Sequence, residues 1–321
     1  MLIPTSDQDI DLVIDNADRL SQHFRFQVSY ADGLARQIMD KELFYNLCAA
    51  QNVAFPRLWS ARKEQLPELA SQITFPCMIK PSLIQLVKGQ MKGRKGWIAQ
   101  DSNDYLAQQA LIPPGAGTLL VQEVVPGPES NITLWCGYLS EQEDQPQFTA
   151  RKLRQYPPGF GSASLVQSQS EPETAQISRR MLTAMGYRGI AAAEFKIDPN
   201  TGQLKIIEVN TRPSLWFSVT DKAGSPIILQ AYRHLAGLPP LPIAPQRDGV
   251  RWRYTSKDLY SSLFYRLSRF VLPAPNTSIV GPAHSRTFAV FALDDPLPAV
   301  AELLYFVRKA LRRLIGGRRG R

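Results

Sequence analysis

Hydrophobic and polar positions alternate most clearly between residues 193 and 214. Glu194, Lys196 and Asp198 interleave with Phe195 and Ile197, and an apolar run resumes from Lys205 to Val209 after the turn Pro199-Asn200-Thr201-Gly202. Period-two alternation on both sides of such turn chemistry predicts a β-hairpin. Elsewhere the pattern switches between the two periods. Thr5-Ser6-Asp7 caps a predicted helix carrying Ile10, Val13, Ile14 and Leu20, and a second helix over 41–51 carries Leu43, Phe44, Leu47 and Cys48. Further helices are predicted over 63–72, 104–111, 172–185, 226–235 and 257–271, and one starts at Asp294-Asp295-Pro296. Strands are predicted over 75–81, 97–99, 118–125, 131–138, 148–153 and 288–293. Pro126-Gly127-Pro128 halts the strand before it, residues 156–161 form a turn-rich loop, and proline-rich 238–245 reads as a linker.

These elements suggest four parts: residues 1–58, 59–125, 126–245 and 246–321. Leu2-Ile3-Pro4 looks like the tip of a strand, so 1–58 reads as the end of an α/β unit whose first strands lie outside this chain. At 321 residues and 44% hydrophobic composition, the chain can bury a substantial core.

Composition narrows the function classes. The three cysteines and three histidines are dispersed, which gives no support to a thiol or histidine metal site or to a Ser/His/Asp triad. No apolar run approaches the roughly 20 residues of a membrane span, and a cytoplasmic location is expected. The net charge of +9 points toward nucleic acid until it is located. From Glu302 to Arg321 seven basic residues stand against one acid, a net +6, leaving +3 for the body. Nucleic acid is therefore not an expected partner. Leu303, Leu304, Val307, Leu311, Leu314 and Ile315 form a stripe along the last helix, with Arg308, Lys309, Arg312 and Arg313 away from it. Two readings follow: packing on its own domain with a solvated basic face, which is the commoner outcome, or weak contact with a membrane surface.

Candidate chemistry sits on the hairpin. Glu208 and Asn210 share a strand face, and the hairpin can bring Glu194 opposite them. Two carboxylates and an amide oxygen are hard donors that suit Mg²⁺, which takes its other ligands from water and phosphates. In isolation, solvated surface acids would be the plainer reading. Lys80 ends an apolar strand, where a cation can meet a phosphate. Residues 88–96 offer three glycines and four basic residues able to fold over a polyphosphate, without matching a Walker A pattern. Gln122 to Val125 could offer backbone groups to a purine edge, or simply be core.

A lysine-ended strand, a glycine-rich basic loop, Q-E-V-V before a turn, and E…E-x-N-x-R occur here in that order, and Asp40-Lys41 opens a helix before them. Together they resemble the ATP-grasp superfamily. The stretches L-I-P-T-S-D, A-R-K-L-R-Q-Y-P-P-G-F-G (150–161), E-V-N-T-R-P and D-D-P-L-P (294–298) look like the bacterial ATP-grasp proteins of carboxylate–amine ligase type. The resemblance covers nearly the whole chain, and it implies an α+β fold in which two subdomains clasp ATP. A remnant of an N-terminal α/β domain would precede them and a C-terminal extension would follow.

Carried over by residue, the resemblance implies that Lys41 and Lys80 contact ATP phosphates and that the loop around Gly93 closes over them. Gln122, Glu123, Val124 and Val125 would hold adenine, and Glu129 ribose. Glu194, Glu208 and Asn210 would hold one or two Mg²⁺ (or Mn²⁺) ions. Arg212, with Arg151 and Arg154 as further candidates, would stabilise the transferred phosphoryl group or the carboxylate. The implied activity is ADP-forming ligation of a small-molecule carboxylate to an amine through an acyl phosphate; a homodimer is compatible with it. Nucleotide binding without ligation, or binding to a surface through the basic tail, are the rival readings.

Overall fold

The computed structural model describes residues 1–82, 87, 89–91, 96–141, 145–267, 270 and 272–316. Five short helices come first: α1 (Asp7–Asp15), α2 (Ala17–Ser21), α3 (Val28–Ala31), α4 (Leu34–Met39) and α5 (Lys41–Ala50). Ser6 and Asp9 form a reciprocal cap on α1. The Asp40 carboxylate accepts from Glu42 N and Leu43 N, which fixes Lys41 in the first turn of α5. No strand occurs among residues 1–57. Leu2 N donates to Arg25 O instead of entering a sheet.

A four-stranded antiparallel sheet follows, with spatial order β1 (Leu58–Ala61), β4 (Leu119–Glu123), β2 (Cys77–Pro81), β3 (Trp97–Ala99). Helices α6 (Leu66–Leu69) and α7 (Ser102–Gln108) pack against it. The helix predicted over 63–72 is only a 3₁₀ turn plus α6, with Pro67 in its first turn. Leu66, Ile79, Tyr105, Leu119 and Val121 form the core of this layer.

The second sheet has seven strands: β5 (Ile132–Leu139), β6 (Gln147–Tyr156), β7 (Ser162–Ser168), β8 (Gly189–Ile197), β9 (Leu204–Asn210), β10 (Val250–Arg253) and β11 (Ser285–Phe288). Its spatial order is β11-β10-β7-β6-β5-β8-β9, antiparallel except for the β10–β11 pair. The predicted hairpin forms as β8 and β9. Strands β7 and β10 were not foreseen, and β11 ends where the strand predicted over 288–293 was to begin.

Both faces of this sheet are covered. On one, Trp135, Phe195 and Ile206 meet Met181 and Leu182 of α8 (Pro172–Ala184) and the helices α1–α5, so the N-terminal helices share a core with the sheet. On the other, Ile132, Leu134, Phe148 and Ala192 meet Trp216, α9 (Ser218–Lys222) and α10 (Ile227–Leu235).

The C-terminal part extends this sheet through β10 and β11 and adds α11 (Thr255–Leu267) and α12 (Leu297–Gly316). Asp258 of α11, 2% exposed, pairs with Arg154 (Nε–Oδ1 2.6 Å) and Arg253 (Nε–Oδ2 2.8 Å). Removing one partner of a buried pair leaves a charge uncompensated. Asp258→Ala is therefore expected to lower stability by about 3–5 kcal/mol in urea unfolding; a loss under about 1 kcal/mol would mean that α11 only leans on the sheet. The last helix departs from the commoner expectation. Leu303 and Leu304 are largely exposed and do not pack on the domain.

Candidate functional site

A cleft of about 300 Å³ opens between the two sheets. Its floor follows from register. Glu194 of β8 stands directly opposite Glu208 of β9, and Asn210 opposite Ala192. Lys152 of β6 and Lys196 of β8 both stand opposite Ile132 of the strand between them, one pleat further along the same face. Lys152, 3% exposed, reaches Glu194 (Nζ–Oε1 2.5 Å) and Gln155 (Nζ–Oε1 3.2 Å). Burial pushes the Glu194 carboxyl above its ordinary range and Glu208 adds to the shift, while Lys152 and Lys41 oppose it.

Asn210 Nδ2 donates to Glu208 Oε1 at 3.3 Å, which gathers all three candidate donors at one place. Among the described residues, no three carboxylate, histidine or cysteine side chains converge. The donor set is thus two carboxylates and one amide, which leaves coordination positions for water and phosphate oxygens. That chemistry fits Mg²⁺.

The near wall comes from the N-terminal helices. Lys41 Nζ and Tyr45 Oη of α5 both donate to Ile207 O on the open edge of β9, at 2.5 and 3.0 Å. Burial lowers the Lys41 pKa, and Glu208 and Glu194 oppose that shift. Tyr45 also accepts from Gln122 Nε2 (2.7 Å), whose Oε1 accepts from Lys80 Nζ (3.1 Å). Arg212 lines the cleft just past β9, held by Asp7 of α1 (Nε–Oδ1 2.7 Å). Thr211 O accepts from Tyr30 Oη (2.8 Å) and Gln27 Nε2 (3.0 Å), so the strand end carrying Arg212 is pinned from below.

Gln122, Glu123, Val124 and Val125 line the far wall, where one sheet passes to the other. The Glu123 carboxylate is occupied by Arg57 N (2.9 Å) and Lys205 Nζ (2.7 Å), and Glu123 N and Val124 N donate to Arg57 O and Pro76 O. Lys196 Nζ donates to Val125 O at 2.8 Å. Burial pushes the Lys196 ammonium down to about 8, against the pull of Glu129 and Glu194. Its charged form is disfavoured in the folded state, so between pH 8 and 10.5 the unfolded chain binds more protons and stability rises with pH. Relative to Lys196→Met, the wild type is expected to gain up to about 3 kcal/mol across that window in urea unfolding. Parallel stability curves would contradict the burial of a charged Lys196.

Three residues singled out in the sequence lie away from the cleft. Glu129 is fully buried and accepts from Gln155 N (3.0 Å), Gly159 N (2.5 Å) and Tyr265 Oη (2.7 Å), so it anchors the 155–159 turn and has no face left for a ribose. Arg151 is engaged by both oxygens of Glu171, and Arg154 by both oxygens of Asp258. None of the three lines the cleft. Gly93 lies outside the described residues, as do Lys88, Lys92, Arg94 and Lys95. Lys152, Lys196, Gln155, residues 159–163 and Ser214 to Trp216 line the cleft without having been singled out. Strand parity was the available signal for Lys152, since it shares a face with the apolar Phe148 and Ala150.

Residues 162–242 match the family model described as carbamoyl-phosphate synthase L chain, ATP binding domain. That segment contains β7, the hairpin and Arg212. Carboxyaminoimidazole ribonucleotide synthase from Aspergillus clavatus, complexed with ATP, superposes with a TM-score of 0.56 at 12% identity, over 73% of this chain and 60% of that one. Biotin carboxylase from Campylobacter jejuni, in a β,γ-ATP complex, superposes with a TM-score of 0.58 at 17% identity, over 76% of this chain and 55% of that one. The chain has the ATP-grasp fold. A curated relative, D-aspartate ligase from Enterococcus faecium (strain Aus0004), is 24% identical over 224 residues, which is 66% of this chain and 53% of that protein. The chain therefore spans roughly half to three-fifths of the length of the proteins it matches. Within the ATP-grasp fold the cleft lies between the small and large sheets. No described helix is long and apolar enough to cross a membrane.

Proposed function

We propose that the cleft binds ATP with Mg²⁺ and that the chain is an ADP-forming ligase joining a small-molecule carboxylate to an amine. One observation carries this reading. The opposed Glu194, Glu208 and Asn210 share a cleft with five cations, Lys41, Lys80, Lys152, Lys196 and Arg212, and with Glu123, Val124 and Val125. Such a cleft suits a polyanion whose charge is bridged by a divalent cation, with a flat base held at the junction of the two sheets. Relatives described as a D-aspartate ligase and as an ATP-complexed synthase support the same assignment.

Glu194, Glu208 and Asn210 would hold the cation, which would supply neutralisation of the phosphate charge. Lys41 and Lys80 orient the phosphates, and Arg212 faces the transferred group. A carboxylate is a poor electrophile, so its oxygen attacks the γ-phosphorus and the bond to the ADP oxygen breaks. The amine nitrogen then attacks the acyl carbon, phosphate leaves, and the proton lost by nitrogen passes to phosphate or water. No protein nucleophile is required; positioning and charge neutralisation account for the catalysis.

The test is ADP release across a panel of carboxylates paired with amines, including D-aspartate. With an ¹⁸O-labelled carboxylate, the account expects one labelled oxygen in the released phosphate. Nucleotide binding without ADP release on any pair would leave only the binding half of the proposal standing.

A further inference from the structure

The C-terminal helix α12, 20 residues long, has the strongest feature that the cleft does not use. Leu297, Val300, Leu303 and Leu304 fall on one side of it at helical spacing and are 74, 51, 64 and 63% exposed. The sequence continues that spacing through Val307, Leu311, Leu314 and Ile315. The opposite side carries the contact with the body. Glu302 is the acceptor for Ser256 Oγ of α11 at 2.8 Å, and Glu302 and Ala299 are the partly covered positions of this stretch. With 3.6 residues per turn, Glu302 lies on the far side of the helix from the leucines. Among the described residues the helix is thus held through Glu302, while Leu297, Val300, Leu303 and Leu304 are turned toward solvent. Leu259, Leu263 and Leu267 of the adjoining α11, spaced four apart, are exposed as well.

Charge selects among the surfaces that could cover such a face. Glu302 is the last acid in the chain, and Arg308, Lys309, Arg312, Arg313, Arg318, Arg319 and Arg321 follow it. Two copies pairing through α12 would bring two strongly cationic segments together. A nucleic acid would neutralise the arginines but leave the leucines in water. An anionic lipid surface answers both features, since it takes the apolar side into the acyl boundary and the basic end onto the headgroups. No described helix qualifies as a span, so this one would lie in the plane of the interface.

We propose that α12 is a membrane-surface anchor that docks the protein on anionic lipid. It is independent of the ligase assignment, because none of the described residues of α12 lines the cleft.

Vesicle flotation of the full chain tests the proposal, using phosphatidylcholine alone or mixed with phosphatidylglycerol at about 100 mM salt. Binding to the mixed vesicles is expected, with little to phosphatidylcholine and a fall as salt is raised. The double variant Leu303→Asp/Leu304→Asp should lose vesicle binding while keeping the wild-type unfolding curve, because both side chains are already exposed. Arg308→Glu/Arg312→Glu should weaken binding on the order of tenfold or more. Full-chain protein that stays unbound at low salt would overturn the proposal. So would binding that survives Leu303→Asp/Leu304→Asp, a dimer that those substitutions dissolve, or retention on duplex DNA in preference to the vesicles.

Discussion

Glu208→Ala is expected to lower carboxylate-dependent ADP release on the order of a hundred- to thousandfold and to remove the Mg²⁺ dependence of nucleotide binding. The reason lies in the register of one hairpin. Glu208 stands directly across from Glu194, and Asn210 donates to it, so its carboxylate is shared by both sides of the donor set. Alanine leaves one carboxylate, already paired with Lys152, and one amide. That set is too weak in charge to compete with water for Mg²⁺. Glu208 is exposed in β9, so the fold should tolerate the substitution. Unchanged binding and unchanged turnover in this variant would remove the metal assignment.

Lys152→Met is expected to have the larger effect on stability. Lys152 is buried, and it is the cation nearest Glu194. Without it, a buried carboxylate faces a second carboxylate across the strand pair. Breaking a buried pair in this way costs about 3–5 kcal/mol. The sign of the pH dependence follows. The Glu194 pKa is raised in the folded state and would rise further, so the deficit should be small near and below the ordinary value of 4.5 and grow as pH rises through the folded pKa. Chemical denaturation at pH 4.5 and pH 7.5 reads this directly. Adding Mg²⁺ and nucleotide should restore part of the loss, and Lys152→Met/Glu194→Gln should restore most of it. A deficit that is the same at both pH values would show that Lys152 matters for packing and not for charge.

What could be read from sequence, and what could not, divides along physical lines. The hairpin of β8 and β9 was legible because its alternation, turn and facing carboxylates are all local. The place of Arg212 followed from the E-x-N-x-R resemblance, whereas Lys80 and Gln122 to Val125, which line the cleft, were marked locally by a strand end and a halted strand. Arg151 and Arg154 were not, because their partners Glu171 and Asp258 lie 20 and 104 residues away and nothing local marks them as already paired. Lys152, between them, has the cleft-facing side chain, and the irregular register between Lys152 and Arg154 separates their directions. Glu129 reads as a charged residue past a turn, yet a tyrosine 136 residues later helps to bury it. From residues 1–58 only Lys41 was expected at the site; Asp7, Tyr30 and Tyr45 join it through contacts that link the two ends of its sequence, which nothing local marks.

The central claim is that Glu194, Glu208 and Asn210 form a Mg²⁺ site that exists to hold a nucleotide triphosphate. Calorimetric titration of the full chain with a non-hydrolysable ATP analogue, with Mg²⁺ and then with excess chelator, tests it most directly. The account predicts binding that strengthens at least about tenfold with Mg²⁺ in the wild type and not in Glu208→Ala. Affinity that is the same with Mg²⁺ and with chelator, or no binding at all, would contradict it.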